Sequence, residues 1–484
     1  MERAHGKQRR QGHLAADCLC CDGPAIFLTR STSQANRVQS PAESIPSEWV
    51  EMAGAFDNIH PGLTHDEALR LLALPVAELE SQSDPYMAAA HLVNFPGPET
   101  ERALMSLVLD SDQSQPRRLA RRKAVEVLGR LNCQAAVAAI GQCLDSDDCY
   151  LVENAAFALQ QLRCTDPQIL SDLRGLLRKP GQNQRVLIQA LAALGVAESV
   201  PEIQGLLNSD NHGVRGAAIS AMASLAGDRQ HLPHLADQML LPNQMDRQSA
   251  IQDAINARAV ELLPQILRAP VSPVFRMRAF KALWPQNCSQ SQGLELIEVL
   301  DGILMDKPES LDLVHAYDQD PSDEFLIQEF FGTDFSRSYL ALKSLQTRSA
   351  ETLWPLLFNR WKAEAHNDYG AHYFFIRLFG LIDKWPAESI PDIREILLAA
   401  IATQRPQFMK SKPAAVLTMV RLGLIPDQTI WAEWLNPEST PFWECRYAAA
   451  MLVPIELAST GLNDPNPFVM ARVQSVISGA NAAR

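Results

Sequence analysis

The chain has 484 residues, 47% of them hydrophobic and 20% charged, with a formal net charge of −13 at pH 7. That composition is globular and can bury a large core, while the acidic balance argues against a general nucleic-acid binder and leaves room for a local basic pocket. No run approaches the roughly 18 uninterrupted apolar residues of a membrane span, and the N-terminus has no apolar targeting core, so the expectation is a cytoplasmic protein whose nine cysteines are reduced.

Residues 1–51 stand apart. "MERAHGKQRRQGH" is basic and "TRSTSQANRVQSPAESIPS" is polar and patternless, which predicts a disordered N-terminal extension without function. Cys18, Cys20 and Cys21 cluster there, but no second pair at zinc spacing accompanies them.

From Met52 onward the chain repeats. "ARRKAVEVLGRL" (120–131), "LVENAAFALQQL" (151–162), "QRVLIQALAALG" (184–195) and "VRGAAISAMASL" (214–225) align on Leu131, Leu162, Leu194 and Leu225, spaced by 31, 32 and 31 residues. Shorter apolar segments such as "AAVAAIGQCL" and "ESVPEIQGLL" lie between them, each followed by a turn signal, "DSDD" or "NSDN". One unit is helix, turn, helix. A period of about 31 with two helices per unit predicts an all-α fold, an α-solenoid of HEAT-like helix pairs. The expected division is solenoid over 52–300 and divergent helical repeats continuing it over 301–484. "FRMRAFKALW" (275–284) keeps the register, "DRQSAIQDAINAR" blurs it, and the stretches "LDLVHAYDQDPSDEFLIQEFFGTDFSRSYLALKSL" and "WKAEAHNDYGAHYFFIRLFGLI" read as amphipathic helices.

In such a solenoid one helix of each pair lines a concave surface. On "CYLVENAAFALQQL" (149–162) the apolar stripe is complete without Tyr150 and Phe157, which share the opposite face with Glu153 and Asn154. The aligned columns add Arg122, Arg185 and Arg278 to that face, with small residues near 216–220. Separated cations, a carboxylate and aromatics together suit a large, flat, partly anionic ligand.

The opening "FDNIHPGLTHDEALRLLALPVAELESQSDPYMAAAHLVNFPGPETERALMSLV", with "ARRKAVEVLGRL" and "CYLVENAAFALQQL", resembles the HEAT-repeat phycobilin lyases of the E/F type, and within them the branch acting on phycoerythrin α subunits in cyanobacteria. The resemblance covers about residues 52–484 and is strongest over 56–225. It implies an enzyme that binds free phycoerythrobilin as substrate, with no cofactor. The enzyme attaches the bilin through a thioether to a cysteine of an apo-phycoerythrin α subunit, its protein substrate. An Asn-His-Cys-Gln-Gly-Asn motif marks one isomerising subgroup, and the nearest string here, "DNHGVRG" (210–216), lacks the cysteine. Isomerisation to phycourobilin stays open by other routes.

A bilin carries two propionates, pyrrole-type nitrogens and an extended π-system. Propionates call for arginine, nitrogens for a carboxylate, and ring faces for aromatics. The candidates are then Glu153, Tyr150 and His212 for the chemistry, and Arg122, Asn154, Phe157, Arg185, Arg215 and Arg278 for holding the bilin. They also have ordinary readings: Glu153 as an exposed helix glutamate, Tyr150 and Phe157 as packing against the adjacent repeat, His212 as a turn histidine with Arg215 the inter-repeat arginine, and Arg122, Arg185 and Arg278 as solvated or ion-paired surface residues. "HAYDQD" (315–320) and "HNDYGAHY" (366–373) are rich in His, Asp and Tyr, yet neither has His-x-x-x-His spacing, so no metal is expected. In the second cluster His366, Tyr369 and Tyr373 share a face from which His372 departs; both clusters read as helix ends or a surface for the protein substrate. Cys149, beside Tyr150, reads as a structural thiol or a transient bilin anchor. A P-loop, a Rossmann glycine fingerprint and a serine-nucleophile elbow are all missing. The competing reading is a non-catalytic HEAT scaffold or chaperone for an apo-phycobiliprotein.

Overall fold

The computed structural model describes residues 60, 62–284 and 293–482. The chain divides into two units, Met1–Ala53 and Gly54–Arg484, and every described residue belongs to the second. The expected extension over 1–51, with its three cysteines, lies outside the described residues. The described residues form α-helices and short 3₁₀ turns, with no strand among them.

Helices follow one another in pairs. The helices Asp84–His91, Gln115–Arg130, Cys149–Gln161, Gln184–Ala193, His212–Leu225, Gln244–Asn256 and Pro273–Leu283 pack each against the next in one row. Between them run further helices, Pro98–Val108 and the mostly shorter Val137–Gln142, Pro167–Gly175, Val200–Gln204 and Leu263–Arg268 among them. The same local chemistry starts many of the row helices. Asp148 accepts from the Tyr150 and Leu151 amides, Asn183 from Val186, Asn211 from Val214 and Asn243 from Met245. Each side chain satisfies an amide that the helix leaves unbonded. The ends repeat too. Asn132, Arg163, Gly195 and Arg258 are left-handed, and the next amide returns to the helix: Cys133 to Leu128 O, Cys164 to Leu159 O, Val196 to Leu191 O, Ala259 to Ala254 O. That is a Schellman ending, and its customary apolar contact is supplied by the buried Cys133, Cys164, Val196 and Ala259.

Small residues let neighbouring row helices meet. A Cβ on Gly129 would lie 2.8 Å from Ala158 Cα, so only glycine permits that approach. The apolar core is laid down in three adjoining stretches, Ala68 to Met222, Ile219 to Leu283 and Met277 to Val473, with Leu, Ile, Val and Ala predominating early and aromatics crowding the last.

"DRQSAIQDAINAR" is an ordinary row helix, Gln244–Asn256. Its register blurs because two charged residues, Arg247 and Asp253, are fully buried in it. Beyond residue 300 helices continue, among them Phe335–Leu345, Ala350–Ala363, Ala371–Leu381, Ile390–Ala402, Ser411–Arg421, Trp443–Leu452 and Pro467–Ala482. Two expectations there are corrected. "WKAEAHNDYGAHYFFIRLFGLI" breaks between the helices Ala350–Ala363 and Ala371–Leu381, and the second is buried from Ala371 through Gly380 instead of on one face. The stretch read as amphipathic helix from "LDLVHAYDQD" is not helical over 311–322, and a helix begins only at Asp323. Its backbone bonds sideways instead: the Asp312 amide donates to Arg268 O at 2.9 Å and the Val314 amide to Ser336 Oγ at 3.1 Å. No helix among the described residues is long and apolar enough to cross a membrane.

Candidate functional site

The densest group of expected residues sits at the start of the Cys149 helix. Asp148, its cap, also receives the Arg122 guanidinium side-on, Nε to Oδ2 at 2.8 Å and Nη2 to Oδ1 at 2.7 Å, with Arg118 3.5 Å away. The Arg122 fork lies 4.7 Å from the Tyr150 ring centroid, and that ring is 56% exposed. Asn154 donates to Arg122 O at 3.1 Å, tying the two row helices together. Glu153 is half-buried, as is Phe157 one turn further along the same helix. Arg122, Tyr150, Glu153 and Asn154 are therefore brought together, around an aspartate that sequence reasoning does not single out, and Phe157 lies further along the helix.

The two carboxylates differ. Burial raises the Asp148 carboxyl, but the Arg122 hydrogen bonds and charge, helped by the Leu151 amide, outweigh it and hold the group below its ordinary value. Burial dominates at Glu153 and raises its carboxyl, against opposing pulls from Asn183 and Arg122. The two carboxyls are thus shifted in opposite directions, Asp148 down and Glu153 up.

Asp148→Asn tests the ion pair, since asparagine still caps a helix. The variant should be less stable by about 1–2 kcal/mol at pH 7, the worth of hydrogen bonds to a charged partner. A depressed folded-state value gives stability that is present above the unfolded value and lost as pH falls through the folded one. The melting-temperature difference between variant and parent should thus shrink on acidification below the usual carboxylate range.

The remaining arginines lie elsewhere. Arg185 is turned inward: Nη1 donates to Asp253 Oδ2 at 2.7 Å and to Gly213 O at 2.7 Å, and Nη2 to Asp253 Oδ1 at 2.9 Å. Gln189 adds a 3.4 Å bond to the same carboxylate. Asp253 is fully buried and belongs to the row helix two places further on, so the pair crosses the intervening His212 helix. Gly216 leaves the gap it passes through, because a Cβ there would stand 2.5 Å from Asp253 Oδ2 and 2.9 Å from Gln238 Oε1. Burial pushes the Asp253 carboxyl up, and Arg185 and Gln189 pull it back.

Arg215 Nη2 donates to His212 Nδ1 at 2.6 Å, so the His212 nitrogen left to donate outward is Nε2. Arg278 donates to Gln252 Oε1 at 2.6 Å and lies over the Phe275 ring at 4.9 Å. Cys149 is the first residue of its helix and half-buried. In "HAYDQD", His315 Nε2 is 3.1 Å from Asp334 Oδ2 and Tyr317 meets the Phe325 ring edge-on. Among the described residues no group of three or more His, Cys, Asp or Glu is placed to hold a metal ion.

Two residues that shape this surface, Asp148 and Asp253, escape the sequence-based candidates. Asp148 has a signal, an aspartate directly before a helical run. Asp253 has none, because a charged residue at helical spacing reads as solvent-facing.

Comparison with known proteins bears on this arrangement. A family model for HEAT repeats matches residues 180–256, and one for the PBS lyase HEAT-like repeat matches 120–146, the Arg122 helix and the short helix after it. The chain is 42% identical over 413 residues to the bilin biosynthesis protein CpeY of Synechococcus sp. (strain WH8020), covering 83% of this chain and 99% of that protein. It is 34% identical over 392 residues to the uncharacterized phycocyanin operon protein Y of Pseudanabaena tenuis (strain PCC 7409), covering 80% and 91% respectively. Among solved structures, the complex of CpcE and CpcF of phycocyanin lyase from Nostoc sp. PCC7120 aligns with a TM-score of 0.42 at 23% identity, over 56% of this chain and 98% of that one. The chain belongs to the HEAT-repeat phycobilin lyases of the E/F type.

Proposed function

We propose that this protein is a bilin lyase that joins phycoerythrobilin through a thioether to a cysteine of an apo-phycoerythrin α subunit. The observation that carries the reading is the half-buried Glu153 carboxyl, raised by burial, one turn from the exposed Tyr150 ring that the Arg122 fork meets at 4.7 Å, with Phe157 a further turn along. Thioether formation needs the thiol sulfur to bond to the ethylidene carbon of the bilin A-ring, and a proton to be delivered to a ring carbon. Glu153 is the donor in this scheme; the base that accepts the thiol proton is left to the protein substrate or to solvent. Tyr150 and Phe157 offer ring faces for stacking, and Asn154 and Arg122 hold the helices that carry them in register. His212 and Arg215 extend the surface along the row as a hydrogen-bonded pair, and Arg278 lies further on. Positioning contributes much of such a rate, with effective molarities on the order of 10⁵ M in well-oriented cases. The bilin is the substrate, and no separate cofactor enters the scheme.

The scaffold alternative is favoured by one observation: Arg122 and Arg185 already engage carboxylates of the chain itself. Colour separates the two. Co-expression with an apo-phycoerythrin α subunit and a phycoerythrobilin-producing pathway should give a zinc-fluorescent band on a denaturing gel absorbing as phycoerythrobilin. A shorter-wavelength phycourobilin spectrum would add isomerisation. Stable binding of the subunit with no covalent colour would make the protein a scaffold.

A further inference from the structure

The segment "HNDYGAHY" leads to a second feature. Tyr369 and Tyr373 from it, with Phe335, form a cage of rings around one amine, that of Lys410 at the start of the helix Ser411–Arg421. The Lys410 Nζ lies 3.1 Å from the Tyr369 centroid, 4.9 Å from that of Phe335 and 5.6 Å from that of Tyr373. The side chain is 8% exposed, and Nζ is sealed off with no hydrogen-bond partner among the described residues. Ring faces attract an ammonium, but they do not replace the hydrogen bonds it gave up on leaving water.

The carboxylates near it are engaged. Asp368 Oδ1 accepts from the Gly370 and Ala371 amides, both at 2.8 Å. Asp306 accepts from Arg276, from the Tyr339 hydroxyl at 2.7 Å and from the Tyr373 hydroxyl. Arg405, bonded to Asn367 Oδ1 at 2.6 Å, adds positive charge around the adjoining His372. His372, stacked on Phe408 and bonded to Ser411 Oγ at 2.9 Å, reports the field. Burial first, and then the charges of Lys410, Arg405 and His366, push its pKa down to about 3. What separates Lys410 from solvent includes the Tyr369 ring, itself 49% exposed.

A buried amine with no hydrogen-bond partner, under a half-exposed ring and beside carboxylates already engaged by other donors, has the makings of an anion receptor, because an arriving carboxylate would offset the burial that disfavours its charged form. It contrasts with Arg122 and Arg185, whose nitrogens already face carboxylates of the chain. We infer that Lys410 receives a carboxylate of the bound ligand, a propionate of the bilin, when the Tyr369 ring turns aside. The inference rests on the proposed bilin function and moves one anchor of the tetrapyrrole into the C-terminal repeats.

The test titrates the full chain with free phycoerythrobilin and with its dimethyl ester, which lacks both negative charges, following the bilin absorbance. The unaltered protein should prefer the free acid by about tenfold or more, as a hydrogen bond to a charged group is worth. Lys410→Met should lower that preference severalfold and leave ester binding unchanged; Lys410→Gln serves as a second variant, and melting curves confirm that each is folded. A Lys410→Met protein that keeps the preference, or an unaltered protein that binds acid and ester equally, overturns the inference and leaves the bilin reading standing. An unaltered protein that binds neither form sinks both. The ester comparison on the unaltered chain decides the matter even where a variant does not fold.

Discussion

Glu153→Gln should slow covalent bilin attachment about a hundredfold while leaving bilin affinity within a few-fold of the parent, the range seen when a positioned general acid is removed. Glutamine keeps the length and the hydrogen-bonding oxygen but has no proton to give, so binding and chemistry separate. The expected pH dependence comes from the direction of the shift. Burial raises the Glu153 carboxyl, so the protonated form persists to higher pH than for an ordinary glutamate. The parent's attachment rate should fall as pH rises through that raised value, whereas the residual rate of the variant should be flat across the same window. Stability runs the same way. An acid easier to protonate when folded lowers stability as pH climbs, so Glu153→Gln should be at least as stable as the parent at pH 8. A lost rate is then not a lost fold. Full attachment activity in the glutamine variant would remove Glu153 from the chemistry.

The largest effect on stability should come from Asp253→Ala, at about 3–5 kcal/mol, because removing one partner of a buried ion pair leaves the other charge uncompensated. Arg185 would keep its bond to Gly213 O and lose both bonds to the carboxylate. Removing both charges, as in Arg185→Leu with Asp253→Leu, should recover most of that loss, because the two substitutions couple strongly and an apolar pair of similar volume carries no desolvation penalty. Gly216→Ala should act on the same place by a different route. Its methyl would stand 2.5 Å from an Asp253 oxygen that is locked in the pair and cannot swing aside cheaply. Melting temperatures of the parent and the three variants settle the point. A double variant as unstable as Asp253→Ala would mean that the pair is not what joins these helices.

Legibility in the sequence divides along one physical line. Positions whose role is local can be read. The caps Asp148, Asn183, Asn211 and Asn243 all stand directly before an apolar-periodic run, and the shared neighbourhood of Arg122, Tyr150, Glu153 and Asn154 comes from aligning two helices of like pattern. Positions whose role depends on a distant partner cannot. Asp253 looks solvent-facing in "DRQSAIQDAINAR" because its partner Arg185 is 68 residues away, and a buried charge is indistinguishable from an exposed one until that partner is placed. Lys410 is the same case, an ordinary lysine until Phe335, Tyr369 and Tyr373 are brought round it. The stretch 311–322 misleads for another reason. Its apolar spacing is compatible with a helix, but its backbone amides are claimed by Arg268 and Ser336. Arg185 shows the cost of reading a column as a face: it shares a column with Arg122 and Glu153, yet Gly216 opens a path inward that its guanidinium takes.

The most direct test of lyase activity mixes purified full-length protein, phycoerythrobilin and an apo-phycoerythrin α subunit, and follows the covalently bound, acid-stable bilin with time beside a reaction without the protein. Attachment is expected at one cysteine, at a rate well above the protein-free reaction and proportional to protein concentration, with the product absorbing as phycoerythrobilin or phycourobilin. A rate and site distribution equal to those of the protein-free reaction, in a sample that demonstrably binds the subunit, would contradict it.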